Sequence, residues 1–224
     1  MAGIGGPYEI VDLASTETES SDLPFSKYPA ILTGTVGGLG FQNEPLICSG
    51  TYQGSMRSCY KYEHGIWSEY EMMVVGRAYS AITKSPFQNK SQLLFVTGGP
   101  GVTAEVLTTE GWRQVFPSLP VGMSNHCMTL LNPHTAIAIG GYQDEAKSSP
   151  NTFTFDTLKM VWEEGPTLRT GRYRHSCARI TKDKDSHEYS IIAVGGSNNG
   201  SYLKSTEILD PLADEWREGP GMSS

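Results

Sequence analysis

Three apolar runs in this chain of 224 residues each end in a pair of glycines, and a tryptophan follows each pair. A weaker fourth run ends in Ser49-Gly50 and is also followed by a tryptophan. The four tryptophans are 45, 50 and 54 residues apart. Self-similarity at such a period indicates a repeat architecture, in which each unit buries its core against its neighbours. The repeated residues are Gly98, Gly99, Gly140, Gly141, Gly195, Gly196, Trp67, Trp112, Trp162 and Trp216.

Each repeat is predicted to contain four β-strands. The second strand ends at the glycine pair, the third is a further apolar segment, and the fourth starts at the tryptophan. We expect the pair to end the second strand at the place where the indole packs. The 25 glycines and a charged fraction of 18% suit short strands with tight turns and argue against a helical bundle. The sequence therefore predicts an all-β chain.

The unit resembles the kelch repeat, in which a glycine pair is followed by an apolar strand and then by a tryptophan. That resemblance implies a β-propeller with four strands in each blade. It covers residues from about 30 to 220 and places one domain over residues 1–224. Two blades depart from the pattern: Ser49-Gly50 replaces the glycine pair, and Ala104-Glu-Val-Leu107 has no tyrosine. The predicted blades span about 29–74, 75–120, 121–168 and 169–220.

The N-terminal residues 1–28 are predicted to form an outer half-blade. Tyr8-Glu-Ile-Val-Asp-Leu13 is similar to the third-strand segment Thr206-Glu-Ile-Leu-Asp210. We therefore expect four four-stranded blades plus this half-blade, in an incomplete ring. The favoured interpretation is a C-terminally truncated sequence. The alternatives are a short natural form that completes its ring with a partner chain, through open edges that favour association, and a small closed ring.

Charge and composition exclude several classes of function. The net charge of −7 disfavours nucleic acid as a partner, and no apolar run is long enough for membrane insertion. The five histidines lack metal-ligand spacing, so we expect no metal and no cofactor. Cys127 and Cys177 lie near His126 and His175, but alternation in the aligned strands points the two cysteines to different faces. Buried thiols and structural histidines are therefore predicted, and the chain is not expected to be an enzyme.

The cellular compartment stays open between cytoplasmic and extracellular. Cys48 and Cys59 lie on adjacent strands of one blade, so they are either two free thiols or a disulfide. Asn89-Lys-Ser91 and Asn199-Gly-Ser201 are glycosylation sequons. The segment up to Gly37-Gly-Leu-Gly-Phe41 also resembles secreted kelch proteins of arthropods. Against secretion, no signal peptide is visible at the N-terminus.

The loops on one face of the propeller are the predicted binding site, because loops on a rigid scaffold carry recognition. The resemblance implies that an arginine opening the first strand and a tyrosine after the glycine pair contact the ligand. An acidic peptide or protein suits such residues. The leading hypothesis is a non-enzymatic protein-interaction module. The alternatives are a secreted propeller that binds carbohydrate or matrix, and a fragment of a ubiquitin-ligase substrate adaptor or actin-binding kelch protein. The candidate contact residues are Arg77, Arg172, Arg174, Tyr52, Tyr142, Asn198 and Tyr202.

Overall fold

A computed structural model describes most of the chain from residue 36 onward. The predicted half-blade of residues 1–28 lies outside the described residues, as does Tyr52. No helix occurs in the described part of the chain, and accordingly none there is long and apolar enough to cross a membrane. The described ranges are 36–39, 44–51, 56–87, 92–99, 101–143, 147–181, 189–210 and 212–223.

The first two sheets are four-stranded and antiparallel, with strands in chain order. Blade one is formed by β1 (Val36–Leu39), β2 (Pro45–Cys48), β3 (Cys59–Glu63) and β4 (Ile66–Tyr70). Blade two is formed by β5 (Ala81–Lys84), β6 (Gln92–Thr97), β7 (Ala104–Thr108) and β8 (Gly111–Val115).

The other two sheets repeat this topology, except that blade four carries an inserted hairpin. Blade three is formed by β9 (Cys127–Asn132), β10 (Thr135–Ile139), β11 (Thr152–Asp156) and β12 (Val161–Gly165). Blade four is formed by β13 (Ser176–Thr181), β14 (Tyr189–Val194), β17 (Thr206–Leu209) and β18 (Arg217–Glu218). The hairpin between its second and third strands is formed by β15 (Ser197–Asn198) and β16 (Ser201–Tyr202).

The four sheets are arranged as successive propeller blades. Their first strands, β1, β5, β9 and β13, contact one another in that order. Among the described residues the sheets do not close into a ring. The all-β, four-stranded prediction is thus confirmed.

The hydrophobic core lies between blades. One cluster joins blades two and three, where Phe95 stacks on Phe155 at 5.4 Å between ring centroids. Two further clusters join blades one and two and blades three and four. Trp162 and Trp216 donate their indole N–H groups to the carbonyls of Pro117 and Pro166, each in the preceding blade. These two tryptophans therefore connect neighbouring blades.

The glycine pair joins each blade to the next. The N–H of Gly99 donates to the carbonyl of Met123 at 2.8 Å, and Gly141 donates to Arg172 at 2.7 Å. A Cβ on Gly98 would lie 2.3 Å from the Met123 carbonyl oxygen, at a φ of +66°. Only glycine tolerates this approach and this φ without strain. The prediction that the pair marks where the indole packs is therefore corrected: the pair packs against the segment that leads into the first strand of the next blade.

The exception in blade one follows from the same geometry. Ser49 takes a φ of 62° at the position of the first glycine, and its hydroxyl lies 3.4 Å from that of Ser80 in blade two. At the next junction Gly98 faces the imidazole of His126 instead. A serine at the first position is thus matched by a small serine opposite, whereas a glycine there leaves room for a histidine.

Candidate binding face

The loop face is defined here as the loops that join second to third strands and fourth strands to the next first strand. Five of the candidate contact residues lie in the sequence at blade starts or just after the residue pair that ends a second strand. The structure separates them into two groups. Arg77 and Arg172 are buried, whereas the others that it describes lie at or near the surface of this face.

Arg77 lies inside blade two. Its guanidinium forms an ion pair with Glu105 at 2.9 Å and donates to the backbone carbonyls of Gly98 and Thr103. Glu105 in turn accepts the backbone N–H groups of Val74 and Val75. Burial lowers the pKa of Arg77, and the charge of Glu105 opposes that shift. The arginine therefore holds together three segments of its own blade.

Arg172 has the same surroundings in blade four. It pairs with Glu207 at 2.7 Å and donates to the carbonyls of Gly195 and Ser205. Glu207 accepts the N–H groups of residues 169 and 170. With exposed fractions of 1% and 0%, Arg77 and Arg172 present no surface to a partner. The expectation that they contact a ligand is corrected: both are structural anchors.

An aromatic cluster lies across the junction of blades three and four. We define it as Tyr142, Tyr173 and Arg174. The two tyrosine rings stack at 4.1 Å between centroids, and the Arg174 guanidinium lies 5.8 Å from the Tyr173 ring. Arg174 is exposed and donates to the side-chain oxygen of Asn125 at 3.3 Å. The cluster thus presents a planar cation beside a fixed aromatic surface.

Hydrogen bonding gives the two tyrosines different acidities. Burial, followed by the hydrogen bond with Tyr173, raises the pKa of Tyr142. Hydrogen bonds with Ser197 and then with Tyr142 lower the pKa of Tyr173. These directions fit a Tyr142 hydroxyl that donates to the Tyr173 oxygen. Stacking holds the two rings against each other.

The β15–β16 hairpin extends this surface beyond the cluster. Asn199 and Gly200 form its two-residue turn with φ values of 46° and 89°. The backbone N–H of Asn199 donates to the Ser148 hydroxyl at 2.7 Å, which connects blade four to blade three. Tyr202 is 94% exposed. Asn198 is half-buried in β15, so Tyr202 offers the larger contact area.

The described loop face is positively charged although the whole chain carries −7. Its exposed charged residues comprise one anion, Glu71, and five cations. Asp144 and Glu145 of the same face lie outside the described residues and do not enter this count. The five cations are Arg57, Lys147, Arg169, Arg174 and Lys204.

Cys127 and Cys177, which lie near His126 and His175 in the sequence, carry no free thiol. Cys127 in blade three and Cys177 in blade four form a disulfide with a Cα–Cα distance of 5.9 Å. The prediction of buried free thiols is corrected, because alternation within one strand does not govern how first strands of two different blades face each other. Burial lowers the pKa values of His126 and His175 to about 3, so both are neutral at pH 7. No potential metal-binding cluster of His, Cys, Asp or Glu occurs among the residues described.

Cys48 and Cys59 also form a disulfide. They are directly opposite each other on β2 and β3, with a Cα–Cα distance of 4.0 Å. All four cysteines of the chain are therefore paired. The sequence left two free thiols or a disulfide open for Cys48 and Cys59, and the structure shows the disulfide.

The sequence interpretation missed the glutamates that hold the buried arginines. Glu105 and Glu207 occupy the same position in otherwise apolar third strands, in the two blades that have arginine at the start. An ionisable residue in a buried strand requires a partner of opposite charge. One signal could have identified these glutamates. Arginine and glutamate occur together in two blades, and both are absent from the equivalent positions of blade three.

Comparisons with known proteins relate this chain to kelch-repeat proteins. The Kelch motif matches residues 186–223. The human Kelch repeat and BTB domain-containing protein 12 is 27% identical over 128 residues, which are 51% of this chain and 20% of the human protein. Kelch repeat-containing protein kel-10 of Caenorhabditis elegans is 34% identical over 88 residues, which are 39% of this chain and 14% of that protein. The matched segments thus span a fifth or less of each relative.

Proposed function

We propose that this chain, which is similar to kelch-repeat proteins, is a non-enzymatic interaction module that binds a partner protein or peptide on its loop face. The observation that carries this proposal is the aromatic cluster of Tyr142, Tyr173 and Arg174. The half-buried Tyr142 ring is held against the buried Tyr173 ring, and together with the exposed Arg174 it supplies rigid contact area and bidentate hydrogen bonding at little conformational cost.

The favoured partner is an acidic peptide. The described loop face carries five exposed cations against Glu71. Arg174 can offer its terminal N–H groups to a carboxylate, since its hydrogen bond to Asn125, among the described residues, uses the Nε. Tyr202 and Asn198 lie on the adjacent hairpin and would extend the contact. Arg77 and Arg172 are not part of this proposal.

A secreted propeller that binds carbohydrate or matrix is the second candidate. The two disulfides favour it, because such bonds persist in oxidising compartments and are rare in the cytosol. The exposed Tyr202 ring could also stack on a sugar. A role as a ubiquitin-ligase substrate adaptor or an actin binder draws only on the family resemblance, although the matched human relative is named for a BTB domain. Association through an open sheet edge also stays a proposal.

The experiment is a selection of random peptides displayed on phage against the immobilised oxidised chain. We expect the selected peptides to be rich in Asp and Glu and to lose affinity as salt is raised. Arg174→Ala should weaken their binding about tenfold, as expected for an anchor worth one to two kcal/mol. Binding is measured by calorimetry.

Lys159→Ala is the matched control. It also removes one exposed cation, but from the turn between β11 and β12, which is not part of the loop face. Equal losses for the two variants, or unchanged binding by Arg174→Ala, would contradict the proposed site. A glycan array run in parallel separates the two candidates, because selective glycan binding without peptide binding would favour the secreted alternative.

A further inference from the structure

The tip of the β15–β16 hairpin carries a glycosylation sequon, Asn199-Gly200-Ser201. Asn199 and Ser201 are exposed, and a Cβ added to Gly200 would meet nothing within 4 Å. Asn-Gly is the preferred pair for a hairpin turn in which both residues have positive φ. The turn therefore explains Asn199 and Gly200, but it does not require the serine at position 201.

The side-chain amide of Asn199 is oriented so that it could carry a substituent. Its oxygen accepts the backbone N–H of Ser148 at 3.4 Å. Its nitrogen has no hydrogen-bond partner among the described residues. An N-linked sugar replaces one hydrogen of that nitrogen and leaves the amide oxygen free to accept. The contact to Ser148 and a glycan are thus compatible.

A second, independent observation concerns the compartment. All four cysteines of the chain are paired in two disulfides. One bond links adjacent strands within blade one, and the other links the first strands of blades three and four. Such complete pairing indicates folding in an oxidising compartment, where N-linked glycans are also attached.

We propose that Asn199 is the acceptor of an N-linked glycan. In this transfer the Asn199 amide nitrogen forms a bond to C1 of the sugar of a lipid diphosphate oligosaccharide. The bond between that carbon and the phosphate oxygen breaks, the amide loses one proton, and the lipid diphosphate leaves. The glycan projects from the hairpin tip and stabilises no contact of the core.

The test is made on the protein isolated from its natural source, without reduction. Peptides are treated with peptide-N-glycosidase in ¹⁸O-labelled water, which converts a glycosylated asparagine to labelled aspartate. We expect more label at Asn199 than in a digest without the enzyme, which measures spontaneous deamidation of the Asn-Gly pair, together with both disulfides. An unmodified Asn199 would overturn the proposal, whether or not the disulfides are present, and four free thiols would remove its second support.

Variants secreted from eukaryotic cells give a second measurement. Ser201→Ala removes the sequon and leaves the Asn-Gly turn unchanged, whereas Ser201→Thr keeps the sequon. We expect the wild-type chain and Ser201→Thr to lose one glycan-sized mass on enzymatic deglycosylation at this site, and Ser201→Ala to lose none. A folded, disulfide-bonded wild-type chain that carries no glycan at Asn199 would contradict the proposal.

Discussion

Blades two and three solve one packing problem with different chemistry. In blade two, Arg77 pairs with Glu105, and Glu105 accepts the N–H groups of Val74 and Val75. In blade three the equivalent positions hold Met123 and Phe153, both buried in an apolar cluster. The residue equivalent to Val74 is Pro120, which has no N–H to donate. Blade four follows blade two, with Arg172 and Glu207.

The comparison shows that the buried arginine, its glutamate and a neighbouring backbone donor are replaced together from one blade to another. A buried ion pair can be replaced by apolar residues of similar size at little cost, but removal of one partner leaves a buried charge without compensation. Relative to blade two, blade three lacks the cation, the anion and one of the two backbone N–H donors. Both versions keep the same four-stranded sheet, so the choice between them is not dictated by the fold.

The largest expected effect comes from breaking the set in blade two. Glu105→Ala leaves the Arg77 guanidinium and two backbone N–H groups without their buried acceptor. We expect a loss of about 3–5 kcal/mol in the free energy of unfolding. Urea denaturation followed by tryptophan fluorescence measures it.

Two controls sharpen this test. Glu110→Ala breaks an exposed ion pair with Arg113 and should cost at most about 1 kcal/mol. The triple variant Val74→Pro, Arg77→Met, Glu105→Phe copies the residues of blade three and should recover most of the stability lost by Glu105→Ala. If Glu105→Ala were no more destabilising than Glu110→Ala, the buried pair would not anchor blade two.

The next effect concerns how blade three is attached to its neighbour. The Cys127–Cys177 bond spans a sequence separation of 50 residues between two blades, whereas Cys48–Cys59 spans 11 within one sheet. The loss of loop-closure entropy predicts about 4 kcal/mol for the former and about 3 kcal/mol for the latter. We therefore expect the double Cys→Ser variant at 127 and 177 to lower the free energy of unfolding more than the one at 48 and 59. The reverse order would show that the bond between blades adds little.

The smallest expected effect is a pH dependence of the free energy of unfolding, which arises at two of the three junctions between blades. His126 and His175 lie at the two junctions that have a glycine opposite, and Ser80 occupies the third. Their folded pKa of about 3 lies below the ordinary 6.5, so the unfolded chain binds more protons between these values. Stability therefore falls as the pH drops below about 6.5, by about 2 kcal/mol per histidine at pH 5.

The measurement is the free energy of unfolding between pH 5 and pH 8. A His126→Gln variant should lose the contribution of one histidine to this pH dependence, which is about 2 kcal/mol at pH 5. Unchanged pH dependence in that variant would mean that the His126 imidazole binds a proton as readily in the folded chain as in the unfolded chain, which would contradict the lowered pKa.

Part of this architecture could be predicted from the sequence, because its signals are local. Strands that end at glycine pairs, such as β6 before Gly98, are read from neighbouring residues. The role of Arg77 could not be found in this way. Its partner Glu105 is 28 residues away, and a position at a blade start suggests exposure. The Cys127–Cys177 bond was missed for a similar reason, since it depends on the placement of two sheets.

At each of the three junctions, the second residue of the pair donates its backbone N–H to a backbone carbonyl of the next blade. The donors are Gly50, Gly99 and Gly141. The acceptor lies three positions before Ser80, His126 and His175, respectively. Backbone groups are identical whatever the side chains, so any blade that ends its second strand this way can join any blade that starts in this way. Duplication of one gene segment could therefore lengthen such a chain by a blade without inventing a new joint. Evolution can then change side chains at each joint separately, as the serine and histidine versions illustrate.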